Sequence, residues 1–253
     1  MRFAFFRRNF IDTSTAFSIT SGTGTISNLI DRNPGVRWTS VGENSDANTA
    51  VVRWTPGSAT NISTIMLQNH NFENLVITYN SGSTFSPAIT QASNTASNSF
   101  FRFTSVTVTH IDVIVTATHI ADAEKFLGEM IVSNLKTELD TNPLAGGFSP
   151  VRYKKGQEHE LSDGGIVSIF LSQKYRAYIN LHYISTQTVD SLTAIYNEHN
   201  NLIFVPFGVD TFTTAWEGTA EHVNWIGDLD VARVRDEAMT GFQGSIRLAQ
   251  IPD

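Results

Sequence analysis

The residues that offer the most chemistry are the histidines, and their spacing does not build a catalytic constellation. The seven are His70, His110, His119, His159, His182, His199 and His222. No pair has the HExxH spacing that presents two imidazoles to zinc from one helix face. Glu158-His159-Glu160 places neighbouring side chains on opposite faces of a strand. This scatter argues against an active site built on histidine.

The signatures of other catalytic classes are missing as well. No Gly-x-Ser-x-Gly occurs, so a nucleophile elbow has no support. The glycine-rich stretch 21–25 lacks the lysine and the helix that follow in a phosphate-binding loop, and it is interpreted as an ordinary loop. The chain has no cysteine, which excludes disulfides, thiolate catalysis and Cys–zinc sites. We therefore expect no enzymatic activity.

A glycan-binding site would need an exposed aromatic ring beside a few aimed polar groups. The loop 68–74, between two apolar runs, offers His70, Asn71 and Phe72 for this purpose, and Arg102 is a further candidate. The preferred alternative is structural. In that interpretation Phe72 plugs the end of a β-sandwich and Asn71 closes the turn.

The segment 28–40, NLIDRNPGVRWTS, combines strong turn chemistry with a tryptophan. Asn33-Pro34-Gly35 favours a turn because proline presets φ and glycine tolerates positive φ. The tryptophan that follows needs either a core to fill or a ligand to stack on. Trp38 and Trp54 both lie within or beside strand patterns, so they are assigned to the core.

Composition limits the class of protein. The 253 residues are 41% hydrophobic but only 16% charged, with a net charge of -7. This balance argues against sequence-independent binding of nucleic acid, which requires clustered Lys and Arg. No stretch approaches the ~20 apolar residues that span a bilayer. Arg7 and Arg8 interrupt the apolar N-terminus, so we expect no signal peptide. The absence of cysteine fits folding in a reducing cytoplasm.

The first half is predicted to be all-β. Ile111, Val113 and Val115 are predicted to point one way and Asp112, Ile114 and Thr116 the other, a period of two that is typical of strands. The runs 64–67 and 75–79 are predicted to be buried strands, and the Ser/Asn/Thr-rich stretch 91–99 is predicted to be a polar loop. Breaker residues accumulate between 137 and 150 and predict a linker there.

The second half is predicted to be an antiparallel β-domain with one short helix. Across 175–183 one face carries Tyr175, Ala177, Ile179, Leu181 and Tyr183, and the other carries Arg176, Tyr178, Asn180 and His182. The helix is predicted at 189–199, with Thr188 or Ser185 as its N-cap and Leu192, Ile195 and Tyr196 as its apolar stripe. The predicted organisation is an arm (1–14), a sandwich (15–136), the linker (137–150) and a second β-domain (151–253).

The first half resembles the discoidin, or coagulation-factor type C, family of galactose-binding-like jelly-roll sandwiches. The resemblance covers roughly residues 15–134. It rests on the 28–40 segment, on Val51-Val52-Arg53-Trp54, on Asn69-His70-Asn71-Phe72 and on the closing Leu127-Gly128-Glu129-Met130-Ile131-Val132. In this family the loops at one end of the sandwich bind glycans, lipids or proteins.

The same resemblance implies a calcium site. Asp31, Asn33 and Glu129 match positions that hold a structural calcium in the family. Calcium takes about six to eight oxygen ligands, and Val36 stands here where the family usually has a threonine hydroxyl. The alternative is that Asp31 and Glu129 are ordinary loop-capping carboxylates. We expect no other cofactor.

The second half resembles the β-domains of tailed-phage minor and distal tail proteins. The resemblance covers about residues 150–253 and rests on the helix, turn and Pro-Phe strand of 192–207. Together the two resemblances imply a virion protein of the tail tip or baseplate that is assembled in the host cytoplasm. The implied partners are a homo-oligomeric ring, a trimer or hexamer, other tail proteins and a host-surface glycan. The alternative is a carbohydrate-binding protein with an accessory β-domain.

Assembly would require exposed apolar surface, and two regions are candidates. Trp216 and Trp225 lie in the polar stretch 211–230, which is long for a loop in a compact domain. Phe5 and Phe6 belong to a phenylalanine-rich start that is interpreted as an arm ordered only on assembly. We expect these four residues at subunit or partner interfaces.

Overall fold

A computed structural model describes most of the chain, which folds into two compact units. The described residues are 2–11, 17–19, 25–41, 45–140, 143, 146–160, 165–198, 201–208, 216, 218–235 and 240–251. Unit 1 comprises Met1–Lys136, Ile203–Ala220 and Asp253, and unit 2 comprises Thr137–Leu202 and Glu221–Pro252. The chain therefore leaves unit 1, builds part of unit 2, returns to unit 1 and finishes almost wholly in unit 2.

Strands dominate both units. In chain order the first eleven are β1 (Arg2–Phe6), β2 (Phe17–Ile19), β3 (Trp38–Thr39), β4 (Ala50–Trp54), β5 (Thr60–His70), β6 (Phe72–Tyr79), β7 (Ser83–Gln91), β8 (Ser99–Val108), β9 (Ile111–Thr118), β10 (Phe126–Ser133) and β11 (Leu135–Glu138). The remaining elements are β12 (Phe148–Glu160), β13 (Ile166–Ile184), α1 (Thr186–Glu198), β14 (Leu202–Gly208), β15 (Glu221–Trp225), β16 (Asp230–Arg235) and β17 (Thr240–Gln250).

Unit 1 is an antiparallel β-sandwich. One sheet has the order β3-β10-β5-β8 and the other has the order β2-β4-β9-β6-β7. Their facing side chains form one apolar core that includes Trp38, Trp54, Phe72 and Phe101, all almost fully buried. Large aromatic rings contribute most to such a core because each removes a large area from water.

The outward face of the four-stranded sheet is also covered within unit 1. Met66, Phe100 and Ile131 point away from the sandwich core and form a second apolar cluster. Its other members come from the paired strands β1 and β14, from Trp216 and from Ala220. Burying both faces of one sheet requires the near-continuous apolar runs seen in β5 and β10.

Unit 2 is an antiparallel sheet with one helix. Its strands follow the order β15-β17-β13-β12, and β16 also pairs with β17. On β13, Tyr175, Ala177, Ile179 and Leu181 are buried and alternate with exposed residues. Helix α1 buries Leu192 and Ile195. Its N-terminus is capped by Ser185, whose Oγ accepts a hydrogen bond from the backbone N–H of Thr188 at 3.2 Å.

The all-β prediction, with a sandwich and one short helix, is confirmed for the described residues. Three details differ. The helix begins at Thr186 instead of 189, because Ser185 is its cap. The predicted arm contains β1, and the predicted linker contains part of β11 and the start of β12. The stretch 211–230, predicted to be a long polar loop, contains β15 and the first residue of β16. Residues 211–215 and 217 lie outside the described residues.

Candidate functional site

A cavity lined by polar residues lies at the end of the unit 1 sandwich that carries the β7–β8 and β9–β10 loops. It has a volume of about 290 Å³ and is lined by Glu73, Ser93, Asn94, Thr95 and His119. Glu73 follows the turn between β5 and β6, and the other residues come from the β7–β8 and β9–β10 loops. A site built from loops on a rigid sandwich is a common arrangement for binding.

Asn71 holds the β9–β10 loop in place. Its side-chain N–H donates to the carbonyl of Glu124 at 2.8 Å, and its Oδ1 accepts from the backbone N–H of Phe126 at 2.9 Å. Its own carbonyl accepts from the backbone N–H of His119 at 2.9 Å. One residue therefore fixes both ends of the loop that carries His119. The structure assigns Asn71 a positioning role in place of the predicted ligand contact.

Asn94 organises the β7–β8 loop in a similar way. Its amide donates to the carbonyls of Phe72 at 2.9 Å and Ala96 at 2.7 Å, and its Oδ1 accepts from the backbone N–H of Ala96. Its backbone N–H donates to the carbonyl of Glu73 at 3.1 Å. These bonds fix the β7–β8 loop, which lines the cavity, next to Glu73 of β6. The side-chain N–H groups of Asn94 are both used in doing so.

His70 and Ser99 form a buried pair that does not have the geometry of a nucleophile and its base. The backbone N–H of Phe72 donates to His70 Nδ1 at 3.0 Å, so the ring proton lies on Nε2, 2.9 Å from Ser99 Oγ. Ser99 in turn donates to Gln91 Oε1 at 3.0 Å. Burial, with the neighbouring charge of His119, lowers the pKa of His70 to about 3. The imidazole is a neutral structural donor with both nitrogens in use.

Phe72 and Arg102 do not provide a sugar platform at this end of the sandwich. Phe72 is fully buried and stacks on His70, with ring centroids 4.9 Å apart. Arg102 lies on β8 opposite Thr64 and is half-buried. Neither residue lines the cavity. Phe72 and Asn71 have the structural positions of the preferred interpretation, and the glycan candidates His70, Asn71, Phe72 and Arg102 do not line the cavity.

The residues that do face the cavity are not singled out by sequence reasoning. Ser93, Thr95 and His119 are exposed and Glu73 is half-buried. Ile120, which follows His119 on the same loop, is 74% exposed. The sequence indicates 91–99 only as a polar loop, and His119 only as one of seven scattered histidines. The sequence signal that could have identified the cavity is a polar loop and a histidine that each follow a strand of the same sheet.

The predicted calcium residues make hydrogen bonds within their own chain. Asp31 Oδ1 accepts the backbone N–H of Asn33, and Asn33 Oδ1 accepts that of Gly35, so both oxygens close turns. Glu129 is buried and accepts a hydrogen bond from Gln68 Nε2 at 3.2 Å. Among the described residues, no group of three or more His, Cys, Asp or Glu could hold a metal ion. Asp31 therefore caps its own turn, as the alternative interpretation predicted for this carboxylate.

The 33–35 turn instead makes a tight contact with the four-stranded sheet. The side-chain amide of Asn69 donates to the carbonyl of Pro34. A Cβ built on Gly128 would clash with the same carbonyl oxygen and would lie 3.0 Å from Asn69 Cβ. Glycine at 128 therefore allows the turn to approach β10 closely.

The predicted interface residues are packed within their own chain. Phe5 and Phe6 are fully buried in β1, and Phe6 contacts Phe100 edge-on with centroids 5.9 Å apart. Trp216 is buried in unit 1, with its ring centroid 5.5 Å from that of Phe100. In unit 2 the half-buried Trp225 contacts Tyr196 edge-on at 5.7 Å. These placements differ from the expected arm and exposed tryptophans, because strand pairing and the sheet face supply partners within the chain.

Comparison with known proteins identifies similar solved structures only. No family model and no curated protein sequence matches the chain. Chitosan-binding module 1, derived from a chitosanase/glucanase of Paenibacillus sp. IK-5, is 18% identical with a TM-score of 0.42, covering 50% of this chain and 98% of the module. The family 32 carbohydrate-binding module of C. perfringens NanJ, solved with galactose, is 20% identical with a TM-score of 0.39, covering 47% and 95%.

Further similar structures include chitosan-binding module 2 from the same Paenibacillus enzyme, solved with chitotriose, at 20% identity and a TM-score of 0.39. At these identities and TM-scores the likeness carries no inference about ligand or activity. Within the described part of the chain, no helix is long and apolar enough to cross a membrane.

Proposed function

We propose that the chain is a carbohydrate-binding protein and that the unit 1 cavity is its binding site. The observation that carries this proposal is a cavity lined by polar residues whose loops are held by the side-chain amides of Asn71 and Asn94. Rigid support of this kind lowers the entropic cost of binding. The exposed groups of Ser93, Thr95 and His119 then meet a ligand without rearrangement.

The chemistry of the lining suits a ligand with many hydroxyl groups. Glu73 accepts hydrogen bonds, whereas the hydroxyls of Ser93 and Thr95 both donate and accept. Sugar hydroxyls also act in both directions, so they can satisfy such a mixed set. Among the described residues no Phe, Tyr or Trp side chain lines the cavity, so we expect weak binding, with a Kd of about millimolar. Multivalent display would be needed to strengthen it.

Titration with oligosaccharides tests this proposal. Glu73→Gln and His119→Ala should each weaken binding of galactose or chitotriose, measured by ligand-observed NMR. Glu124→Gln is the matched control, because Glu124 is exposed on the β9–β10 loop and does not line the cavity. Equal binding by all three variants and the parent chain would contradict the proposed site. Turnover of the oligosaccharide would contradict our further proposal that the protein binds without catalysis.

A second candidate function is assembly, as a tail-tip or baseplate component of a tailed-phage virion. The β12–β13 hairpin is the observation that favours it. Residues 166–175 of β13 pair with β12, and pairing of β13 with β17 begins only at Arg176. Two-stranded hairpins are marginally stable alone, and Ile166 at the start of β13 is 70% exposed. A symmetric homo-oligomer, a ring in the virion tail, would give this hairpin a partner.

The oligomeric state tests this second candidate. Light scattering on the full chain should report a trimer or hexamer, and Ile166→Asp should lower the mass towards the monomer. Ile120→Asp is the matched control, because Ile120 is 74% exposed but lies on a unit 1 loop. A monomer at all concentrations would contradict the assembly function and leave carbohydrate binding untouched.

A further inference from the structure

A second set of polar side chains is aligned across three neighbouring strands of unit 2. Asn180 on β13 is the register partner of Ser245 on β17, and Ser245 is the partner of Asp230 on β16. Because partner residues point to the same face of a sheet, the three side chains form one row. Neighbouring strands lie about 4.8 Å apart, so the row is about 10 Å long.

This face of the sheet is open because the opposite face forms the core of unit 2. Ala177, Ile179 and Leu181 on β13 are buried, together with Ile246 and Leu248 on β17. The residues that alternate with them must point the other way. Tyr178 and Arg247, the next partners along the same face, are both exposed.

The row borders a cleft with the size of a small-ligand site. The cleft has a volume of about 400 Å³ and is also lined by His182 and Gln243, and ligand sites generally range from about 300 to 1,000 Å³. Within the described residues, no hydrogen bond or ion pair engages the side chains of Asn180, Asp230 or Gln243. Three exposed polar side chains therefore border the cleft without a hydrogen-bond partner among the described residues.

Gly244 allows β16 to approach closely enough to complete the cleft. A Cβ built at Gly244 would clash with the carbonyl oxygen of Asp230 and would lie 3.3 Å from Val231 Cα. Any larger residue would push β16 outward and carry the Asp230 carboxylate with it. The glycine thus contributes to the position of one of the three polar groups.

From this arrangement we propose that the β13–β17–β16 cleft binds a neutral saccharide of one or two rings. The side chains of Asn180 and Gln243 offer both donors and acceptors, and Asp230 adds a strong acceptor for hydroxyl groups. Asp230 is the charged residue that lines the cleft, and Arg247 lies one partner pair away on the same face, so an anionic group placed against Asp230 is disfavoured. Tyr178, two residues from Asn180 on the same face, offers a ring on which the apolar face of a sugar can stack. The proposal is independent of the unit 1 cavity and goes beyond it.

Backbone amide spectra of the ¹⁵N-labelled full chain test the proposal. The probes are galactose, chitotriose and maltose, added separately. At least one should shift amides of β13, β16 and β17 in a saturable manner. Asp230→Asn and Asn180→Ala should each raise the half-saturating concentration about tenfold, the effect of losing one good hydrogen bond. Asp228→Asn, an exposed carboxylate outside the cleft, should leave it unchanged.

Two outcomes would overturn the proposal, and both can be separated from failure of the unit 1 site. In the first, no probe shifts any amide of the three strands. In the second, shifts occur but Asp230→Asn and Asn180→Ala titrate like the parent chain. Loss of binding in Glu73→Gln and His119→Ala, with these unit 2 shifts retained, would establish two separate sites. Both cleft variants change exposed side chains, so their circular dichroism should match that of the parent.

Discussion

The backbone N–H of Phe126 donates a hydrogen bond to Asn71 Oδ1 over 2.9 Å. Phe126 is the first residue of β10, so this bond ties the end of the β9–β10 loop to the turn between β5 and β6. The side-chain N–H of Asn71 completes the bridge at Glu124. A side chain that looks like a ligand-binding amide in sequence is thus part of the support for a loop.

Asn71→Ala should loosen the β9–β10 loop and lower stability. Two backbone groups near Glu124 and Phe126 lose their partners, and one such loss in a partly buried site costs about 1–3 kcal/mol. Urea unfolding should show this decrease, and hydrogen exchange should accelerate at 119–126. Asn48→Ala, on an exposed loop, is the control. Unchanged exchange in the β9–β10 loop would show that Asn71 does not position it.

His70 should make stability dependent on pH. Burial lowers its pKa in the folded chain from 6.5 to about 3, so the unfolded chain binds more protons between these values. Stability is therefore full above pH 6.5 and falls as the pH drops towards 3, by at most about 1.4 kcal/mol per pH unit.

The comparison of the parent chain with His70→Gln measures this contribution. The glutamine is expected to lower the free energy of unfolding at neutral pH. It should also remove the contribution of His70 to the dependence of that free energy on pH, while the carboxylate contributions are the same in the two proteins and cancel. Urea unfolding at about pH 7.5 and about pH 4.5 is sufficient. Parallel pH profiles would mean that His70 is not held neutral by burial.

Gly128→Ala should destabilise unit 1. The added methyl group would clash with the Pro34 carbonyl oxygen and crowd Asn69, and overpacking of this kind costs about 1–3 kcal/mol. Thermal unfolding should reveal the loss. Gly57→Ala is a matched control, because a Cβ there meets no atom within 4 Å. If Gly128→Ala were as stable as Gly57→Ala, the result would contradict a close contact between the 33–35 turn and β10.

Trp216→Ala should lower the free energy of unfolding of unit 1 without changing the oligomeric state. The ring is buried against Phe100 within the same chain, and removing such a side chain costs about 3–5 kcal/mol. Chemical unfolding measures the loss and light scattering measures the mass. Trp225→Ala should cost less, because Trp225 is only half-buried. A change of mass with unaltered stability would instead support the predicted interface.

The local sequence determined many of the strands, the 33–35 turn and the α-helix, but not β1, β11 or β15. Alternation along 111–116 and 175–181 specified the apolar residues that face a core, since side chains on a strand repeat every two residues. Tyr183 is exposed instead, because the register shifts between Leu181 and Ile184. Asn33-Pro34-Gly35 specified a turn for the same local reason, and Ser185 with Thr188 specified a helix start within two or three residues. The resemblance of 15–134 to a sandwich family also agreed with the observed class of fold.

Only the tertiary structure decided which side chains meet, because those contacts join residues far apart in the chain. The cavity joins residues 73, 93–95 and 119, and the unit 2 cleft joins 180, 230 and 245. Phe6 and Trp216, expected at interfaces, are buried because the outward face of the four-stranded sheet offers them Phe100. Alternation specifies which side chains of a strand point to the same face. It carries no information on which distant strand covers that face.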